Sequence, residues 1–237
     1  YDSNNEPLGS TPSHICGAWG ITSSALVDGT HSLTAKATDR AGNVSVASAP
    51  LVVVIDTVVA TSAAPDLADG SDTGTSNSDN LTTDTTPTFG GTVEPNSKVT
   101  VSSSVVGVLG NATANGSGVW SYTAGTALAS GVHNISIVEE DVAGNTSAAS
   151  ALLELTIDST APEISTNAPA SGSTAGDASV VFEVNFNDTV HNISANDFTL
   201  TTVGTVGTVS AVSVTSGSSV NVTVSSLTGD GTIRLDH

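Results

Sequence analysis

The sequence predicts an all-β chain of β-sandwich domains strung in tandem, and three observations carry that expectation. Val, Ile, Leu and Thr recur in short alternating runs closed by Gly, Asp or Asn, the pattern of strands that bury one face. A length of 237 residues exceeds one ordinary domain and points to two or three modules. The third observation is an internal repeat. From Leu26 the chain reads LVDGTHSLTAKATDRAGNVSVASAPLVVVIDT, and from Leu128, 102 residues later, LASGVHNISIVEEDVAGNTSAASALLELTIDS.

The repeat aligns Gly29 with Gly131, His31 with His133 and Asp39 with Asp141. It continues through Gly42 and Asn43 with Gly144 and Asn145, and ends with Asp56 on Asp158. One residue out of step, Leu8, Gly9 and Trp19 match Leu109, Gly110 and Trp120. A period near 100 residues is about the length of one immunoglobulin-like sandwich and much longer than a solenoid unit.

The elements follow in chain order. Residues 1–56 read as the C-terminal half of a first immunoglobulin-like domain, because Tyr1 aligns with the middle of the second copy. No charged-then-apolar leader precedes the pattern, so any export signal or anchor is expected outside this segment. The run from Leu51 to Ile55 is too short to cross a bilayer and reads as a strand. Residues 57–84 are rich in Ser, Thr, Gly, Asn and Asp, with carboxylates at Asp66, Asp69, Asp72, Asp79 and Asp84. They read as a linker or an extended leading strand, and both a solvated spacer and a calcium-stiffened segment fit that composition.

Residues 85–158 form the body of a complete immunoglobulin-like domain, with strands expected at 86–90, 98–103, 105–109, 118–123, 131–139 and 151–157. Alternation is clearest from His133 to Ile137. Short antiparallel strands with two buried faces make a sandwich, and both Trp120 and Trp19 are expected to pack within or against one. Residues 159–237 form a third immunoglobulin-like module of different pattern, incomplete at its C-terminal side, with strand signals at 180–186, 197–200, 220–224 and 233–237. Open edges need cover. Either the chain is an excerpt of a longer one, or strands from neighbouring subunits complete the broken domains, which would build a filament by strand complementation.

Composition narrows the function. Four Lys and Arg stand against 23 Asp and Glu, a net charge of −19, which excludes a phosphate-backbone binder and suits divalent cations. The regular apolar spacing argues against disorder despite the abundance of small polar residues. Cys16 is the only cysteine, so packing, with metal ions as helpers, replaces disulfides. No Gly-x-Ser-x-Gly elbow, His-Glu-x-x-His helix or Walker loop is present, and no enzyme is expected.

The turns carry the remaining chemistry. Calcium takes six to eight oxygen ligands from carboxylates and carbonyls on flexible loops. The turns 39–43 and 141–145 each offer a carboxylate, carbonyls and an amide oxygen around a Gly, and Asp56 and Asp158 end the strands leading to the next domain. The candidate calcium ligands are therefore Asp39, Asp56, Asp141 and Asp158, then Asp72 and Asp79. Against this, Asp and Asn also cap turns by bonding their own backbone. His31 and His133 lack ligand-spaced partners and read as strand-face residues, not zinc ligands. Glycosylation motifs Asn-x-Ser/Thr occur at Asn43, Asn80, Asn111, Asn115, Asn134, Asn145, Asn187, Asn192 and Asn221.

The phrases DGTHSLTAKATDRAGNVS, SDTGTSNSDNLTTDTTPTFGGTVEPNSKVTV and VEEDVAGNTSAASALLELTIDST resemble the bacterial Ig-like repeats of large secreted adhesins and biofilm-associated surface proteins. The segment with VFEVNFNDTV, SANDFTL and GTIRLDH resembles a related module of the same proteins. The resemblance implies long tandem arrays outside the cell, calcium at domain junctions, and a stalk that carries a binding tip without catalysis. Departures are Val138, Glu139 and Glu140 in place of a plainer polar run, the presence of Cys16, and a third segment without a closing Asp-Ala-Gly-Asn turn. The leading expectation is a stalk or spacer of an extracellular adhesin, partnered by neighbouring domains of the same chain. Contact with a host or matrix protein or glycan is expected through regions outside this segment. The alternatives are a glycosylated filament subunit partnered by adjacent subunits, and a protein- or carbohydrate-binding module, for which aromatic residues are few.

Overall fold

The computed structural model describes residues 1–2, 6–13, 17–169 and 178–236, so Cys16 and His237 lie outside the described residues. The chain forms two compact units, Tyr1–Ser159 and Thr160–His237. Among the described residues no helix is long and apolar enough to cross a membrane.

The first copy of the repeat contributes two strands, β1 (Gly29–Leu33) and β2 (Leu51–Ile55). They pair antiparallel from Gly29 opposite Ile55 to Leu33 opposite Leu51. Tyr1 extends this ladder: its amino group donates to the Thr34 carbonyl at 2.9 Å, and the Thr34 amide donates back at 3.0 Å. Ser102 faces Ser136 in the second copy in the same way, which places Tyr1 at the register the repeat implies.

The second copy is a full two-sheet sandwich. Its strands are β3 (Asp66–Leu67), β4 (Leu81–Thr82), β5 (Thr88–Thr92), β6 (Lys98–Ser103), β7 (Gly107–Thr113), β8 (Val119–Thr123), β9 (Gly131–Glu140) and β10 (Leu153–Ile157). One sheet has the order β3-β5-β8 and the other β4-β10-β9-β6-β7. Burial alternates along β6, β9 and β10, as a period of two requires when one face meets a core. Leu67, Phe89 and Trp120 from the smaller sheet meet Val99, Val101, Ile135, Ile137, Leu155 and Ile157 from the larger. Each such side chain contributes about 1.5–3 kcal/mol through burial.

Within the expected linker or leading strand, residues 57–84, β3 and β4 join the two sheets of this sandwich. The strand expected at 105–109 begins instead at Gly107. Residues 104–106 form a turn, and Val105 and Val106 are exposed in it. The Val105 amide is taken by the Ser103 hydroxyl at 3.2 Å, so this apolar pair serves the turn and not the ladder.

The repeat supplies its own control. Trp120 is 3% exposed, whereas Trp19 is 58% exposed, contrary to the packing expected of it. Leu153 is 9% exposed and its mate Leu51 is 63% exposed. The cause is the number of sheets. Among the described residues the first copy forms only the β1–β2 pair, whereas β9 and β10 are roofed by the sheet β3-β5-β8.

The second unit comprises β11 (Ile164–Pro169), β12 (Val180–His191), β13 (Thr199–Val203), β14 (Val206–Val212), β15 (Ser216–Thr228) and β16 (Thr232–Asp236). Its sheets are β11-β12-β15-β14 and β13-β16. Phe182, Val184, Val220, Val222 and Val224 line the inner face of β12 and β15, closed by Ile193, Phe198 and Leu235. These are the alternating runs seen in the sequence.

Candidate junction metal centre

The site is built on a five-residue turn. At 39–43 the Asp39 amide donates to the Asn43 carbonyl at 2.9 Å, and the Gly42 amide returns to the Asp39 carbonyl at 3.1 Å. Asp39 Oδ1 accepts the Ala41 and Asn43 amides, both at 2.8 Å, and Oδ2 accepts Asn43 Nδ2 at 2.8 Å. The turn 141–145 repeats this, with Asn145 giving its amide to Asp141 Oδ1 and its Nδ2 to Oδ2, each at 2.8 Å. The fourth residue needs positive φ, and Gly42 and Gly144 supply 94° and 93°. A third turn, 115–119, has the same design, with Asn115 Oδ1 accepting the Ser117 and Val119 amides at 2.9 and 3.0 Å.

These bonds set the carboxyl chemistry. The Asn43 side chain holds Asp39 below the usual carboxylate range, and the Asn145 side chain does the same for Asp141, with backbone amides adding to both. A folded-state pKa below the unfolded value adds stability that is complete above about pH 4 and is lost as pH falls. Asp141→Asn is therefore expected to flatten the loss of stability below about pH 4 in an acid titration followed by circular dichroism. A variant whose acid limb is as steep as that of the parent chain contradicts this role.

The turn 141–145 also reaches the preceding copy. Asn145 Nδ2 donates to the Asp56 carbonyl at 3.1 Å as well as to Asp141. Carboxylate oxygens of Asp56, Glu94 and Asp141 then lie within 4.8 Å of one another. Asp56 is exposed, Glu94 half-buried and Asp141 buried. Of the expected ligands, the fold thus brings Asp56 and Asp141 together. Asp39 serves its own turn. The Asp158 amide donates to the Thr82 carbonyl at 2.8 Å, and Asp79 Oδ1 accepts the Leu81 amide at 3.1 Å. Asp72 is buried, with Oδ2 on the Asn80 amide at 3.2 Å and Oδ1 without a hydrogen-bond partner in the protein.

Sequence reasoning missed Glu94, which lies in the turn between β5 and β6 where no periodicity marks it. Its only signal was the position before Pro95 in a turn. Behind it stands Glu139, noticed in the sequence only as a departure. Its Oε1 accepts the Glu94 amide at 2.7 Å, and its Oε2 accepts the Ser62 hydroxyl at 2.7 Å.

His133 is buried in the sandwich, with Nδ1 3.0 Å from the Ser103 hydroxyl and Nε2 2.9 Å from the Ala129 carbonyl. A carbonyl only accepts, so Nε2 donates to Ala129, and in the neutral ring of that tautomer Nδ1 accepts a hydrogen bond from the Ser103 hydroxyl. His31 repeats the second bond to the Val27 carbonyl at 2.8 Å. Among the glycosylation motifs, Asn43, Asn111, Asn115, Asn187, Asn192 and Asn221 are exposed, and Asn80, Asn134 and Asn145 are partly buried. The Nδ2 atoms of Asn43 and Asn145 are engaged within their turns.

Comparison with known proteins decides the family. The model of the bacterial Ig-like domain matches residues 2–57 and again 59–159. The chain belongs to the bacterial Ig-like domain family. The two Ig-like matches meet at residue 58, so the carboxylate cluster takes Asp56 from the first and Glu94 and Asp141 from the second, and residues 160–237 lie outside both. Among solved structures, the chain is similar to a tetra-tandem repeat in the extending region of a large adhesion protein, at 21% identity and a TM-score of 0.37. That alignment covers 92% of this chain and 50% of the other, so the chain spans half the length of that structure. A comparison with curated proteins finds no match.

Proposed function

We propose that the chain is a spacer segment of an extracellular adhesin, in which calcium ties the end of the first Ig-like domain to the second. The observation that carries this reading is the meeting of Asp56 with Glu94 and Asp141. Oxygens that share one calcium ion lie 2.3–2.6 Å from it, so two on opposite sides are about 5 Å apart. Three carboxylate oxygens within 4.8 Å fit that envelope. The Asp56 carbonyl beside Asn145 adds a further oxygen at the same point. Without a cation, three carboxylates this close repel one another, and a divalent ion turns that repulsion into a crosslink.

The reading assigns the Ig-like domains a mechanical task and no chemistry on a substrate. Asp56 closes β2, so an ion shared with Glu94 and Asp141 stiffens the connection where the chain passes from one copy to the next. Calorimetric titration with calcium is expected to show one site that Asp56→Asn or Glu94→Gln weakens about tenfold or more. The melting temperature is expected to fall in chelator, and X-ray scattering to show a more flexible chain. Equal melting and scattering with and without calcium would overturn the reading.

A further inference from the structure

The contacts of Glu139 point to a role that a single sandwich does not require. Glu139 lies on the inward face of β9, opposite Val99 on β6, and is 2% exposed. The first copy holds Ala37 at the equivalent position. A carboxylate here is costly unless donors meet it. Two do, and neither belongs to its own sheet. The Glu94 amide comes from the turn between β5 and β6, and the Ser62 hydroxyl comes from the connector between β2 and β3. The ladder makes no demand on this carboxylate, since the Glu139 amide is taken separately by the Ser147 hydroxyl at 3.0 Å. Accommodating the buried charge and docking the connector are therefore one event. The same bond fixes the backbone of Glu94, whose side chain is one of the three clustered carboxylates.

We infer that Glu139 is a positioning residue: it docks the connector through Ser62 and holds Glu94 in place, so that cation affinity at the junction depends on the docked connector. The docking half stands on the hydrogen bonds alone, and the affinity half rests on the calcium reading above. The two isosteres separate charge from contact. In Glu139→Gln the amide oxygen still accepts the Glu94 amide and the NH2 group donates to the Ser62 hydroxyl, so docking survives while the charge is lost. In Glu139→Ala both contacts are lost.

Hydrogen exchange and limited proteolysis on the full chain in EDTA test docking without any ion. Glu139→Ala is expected to speed exchange of the Glu94 amide, which Glu139 Oε1 accepts, about tenfold or more and to hasten limited proteolysis in the connector, with the amides of Leu155 and Ile157 unchanged. Glu139→Gln is expected to stay near the parent chain. Calorimetry with calcium alone is then expected to show affinity reduced about tenfold in Glu139→Ala and about threefold in Glu139→Gln. Unchanged exchange at Glu94 together with unchanged proteolysis of the connector in Glu139→Ala overturns the docking role. Faster exchange with unchanged calcium affinity overturns the positioning role and leaves Glu139 purely structural. A parent chain that takes up no calcium overturns the affinity half together with the calcium reading, and the exchange result still decides the docking half. If Glu139→Ala loosens Leu155 and Ile157 as well, Ser62→Ala decides: it hastens proteolysis in the connector, or the docking role is wrong.

Discussion

Leu155→Ala is expected to lower the unfolding free energy of the second Ig-like domain by about 2–5 kcal/mol, and Val53→Ala, its mate 102 residues earlier, is expected to cost the first copy less than about 1 kcal/mol. Both residues occupy the middle of the same strand in the same repeat, opposite His133 and His31. They differ in what lies above them. Leu155 is fully buried against the facing sheet that carries Phe89 and Trp120. Removing its isobutyl group loses the transfer energy and opens a cavity between two sheets. Val53 is only partly covered, so its truncation loses little packing. Urea unfolding of the two variants beside the parent chain checks the contrast. Equal costs would mean that burial beneath the facing sheet is not what stabilises the second copy.

The second large effect is expected at Gly118. This residue closes the turn 115–119 with a φ of 81°, its amide on the Asn115 carbonyl at 2.9 Å and its carbonyl accepting the Val93 amide at 2.9 Å. A Cβ there would collide with the Val93 carbonyl oxygen. Gly118→Ala thus combines a left-handed backbone with a clash against main chain, and about 3 kcal/mol of destabilisation is expected. Gly144 has nearly the same φ, but a Cβ there meets open space. Gly144→Ala is expected to cost only about 1 kcal/mol. Denaturant titration separates the two. Because Val93 precedes Glu94, Gly118→Ala is also expected to weaken calcium uptake, whereas a variant that unfolds at the parent midpoint would show that the turn gives way easily.

The sequence revealed most of the fold because a period of two is forced on any strand with one buried face. The runs from His133 to Ile137 and from Val180 to Phe186 could satisfy their apolar residues in few other ways. It singled out Asp56 and Asp141 as candidates because the repeat places an Asp at the end of a strand and another in a turn of each copy. It missed Glu94 because carboxylates gathered from separate turns share no spacing. Only the pairing of β5 with β8 and of β6 with β9 brings that turn to the junction. Glu139 looked like a deviation in the pattern, since a charged residue on an apolar face is explained only by donors far off in sequence. The misplaced Trp19 has the opposite cause. Its repeat context matched that of Trp120, but burial is a property of the opposing sheet and not of the strand that carries the residue.

The parallel pairing of β4 with β10 sets how the second Ig-like domain bears load. β4 lies toward the start of this domain and β10 toward its end, and they run side by side in the same direction. Tension applied at the two termini therefore pulls them past each other lengthwise. The bonds from the Thr156 amide to the Asn80 carbonyl and from the Asp158 amide to the Thr82 carbonyl, at 2.9 and 2.8 Å, then stretch together in shear. A hairpin pulled from its open end would instead unzip one bond at a time. A module wired in this way is expected to yield late and abruptly under tension, as the spacer proposed above would require.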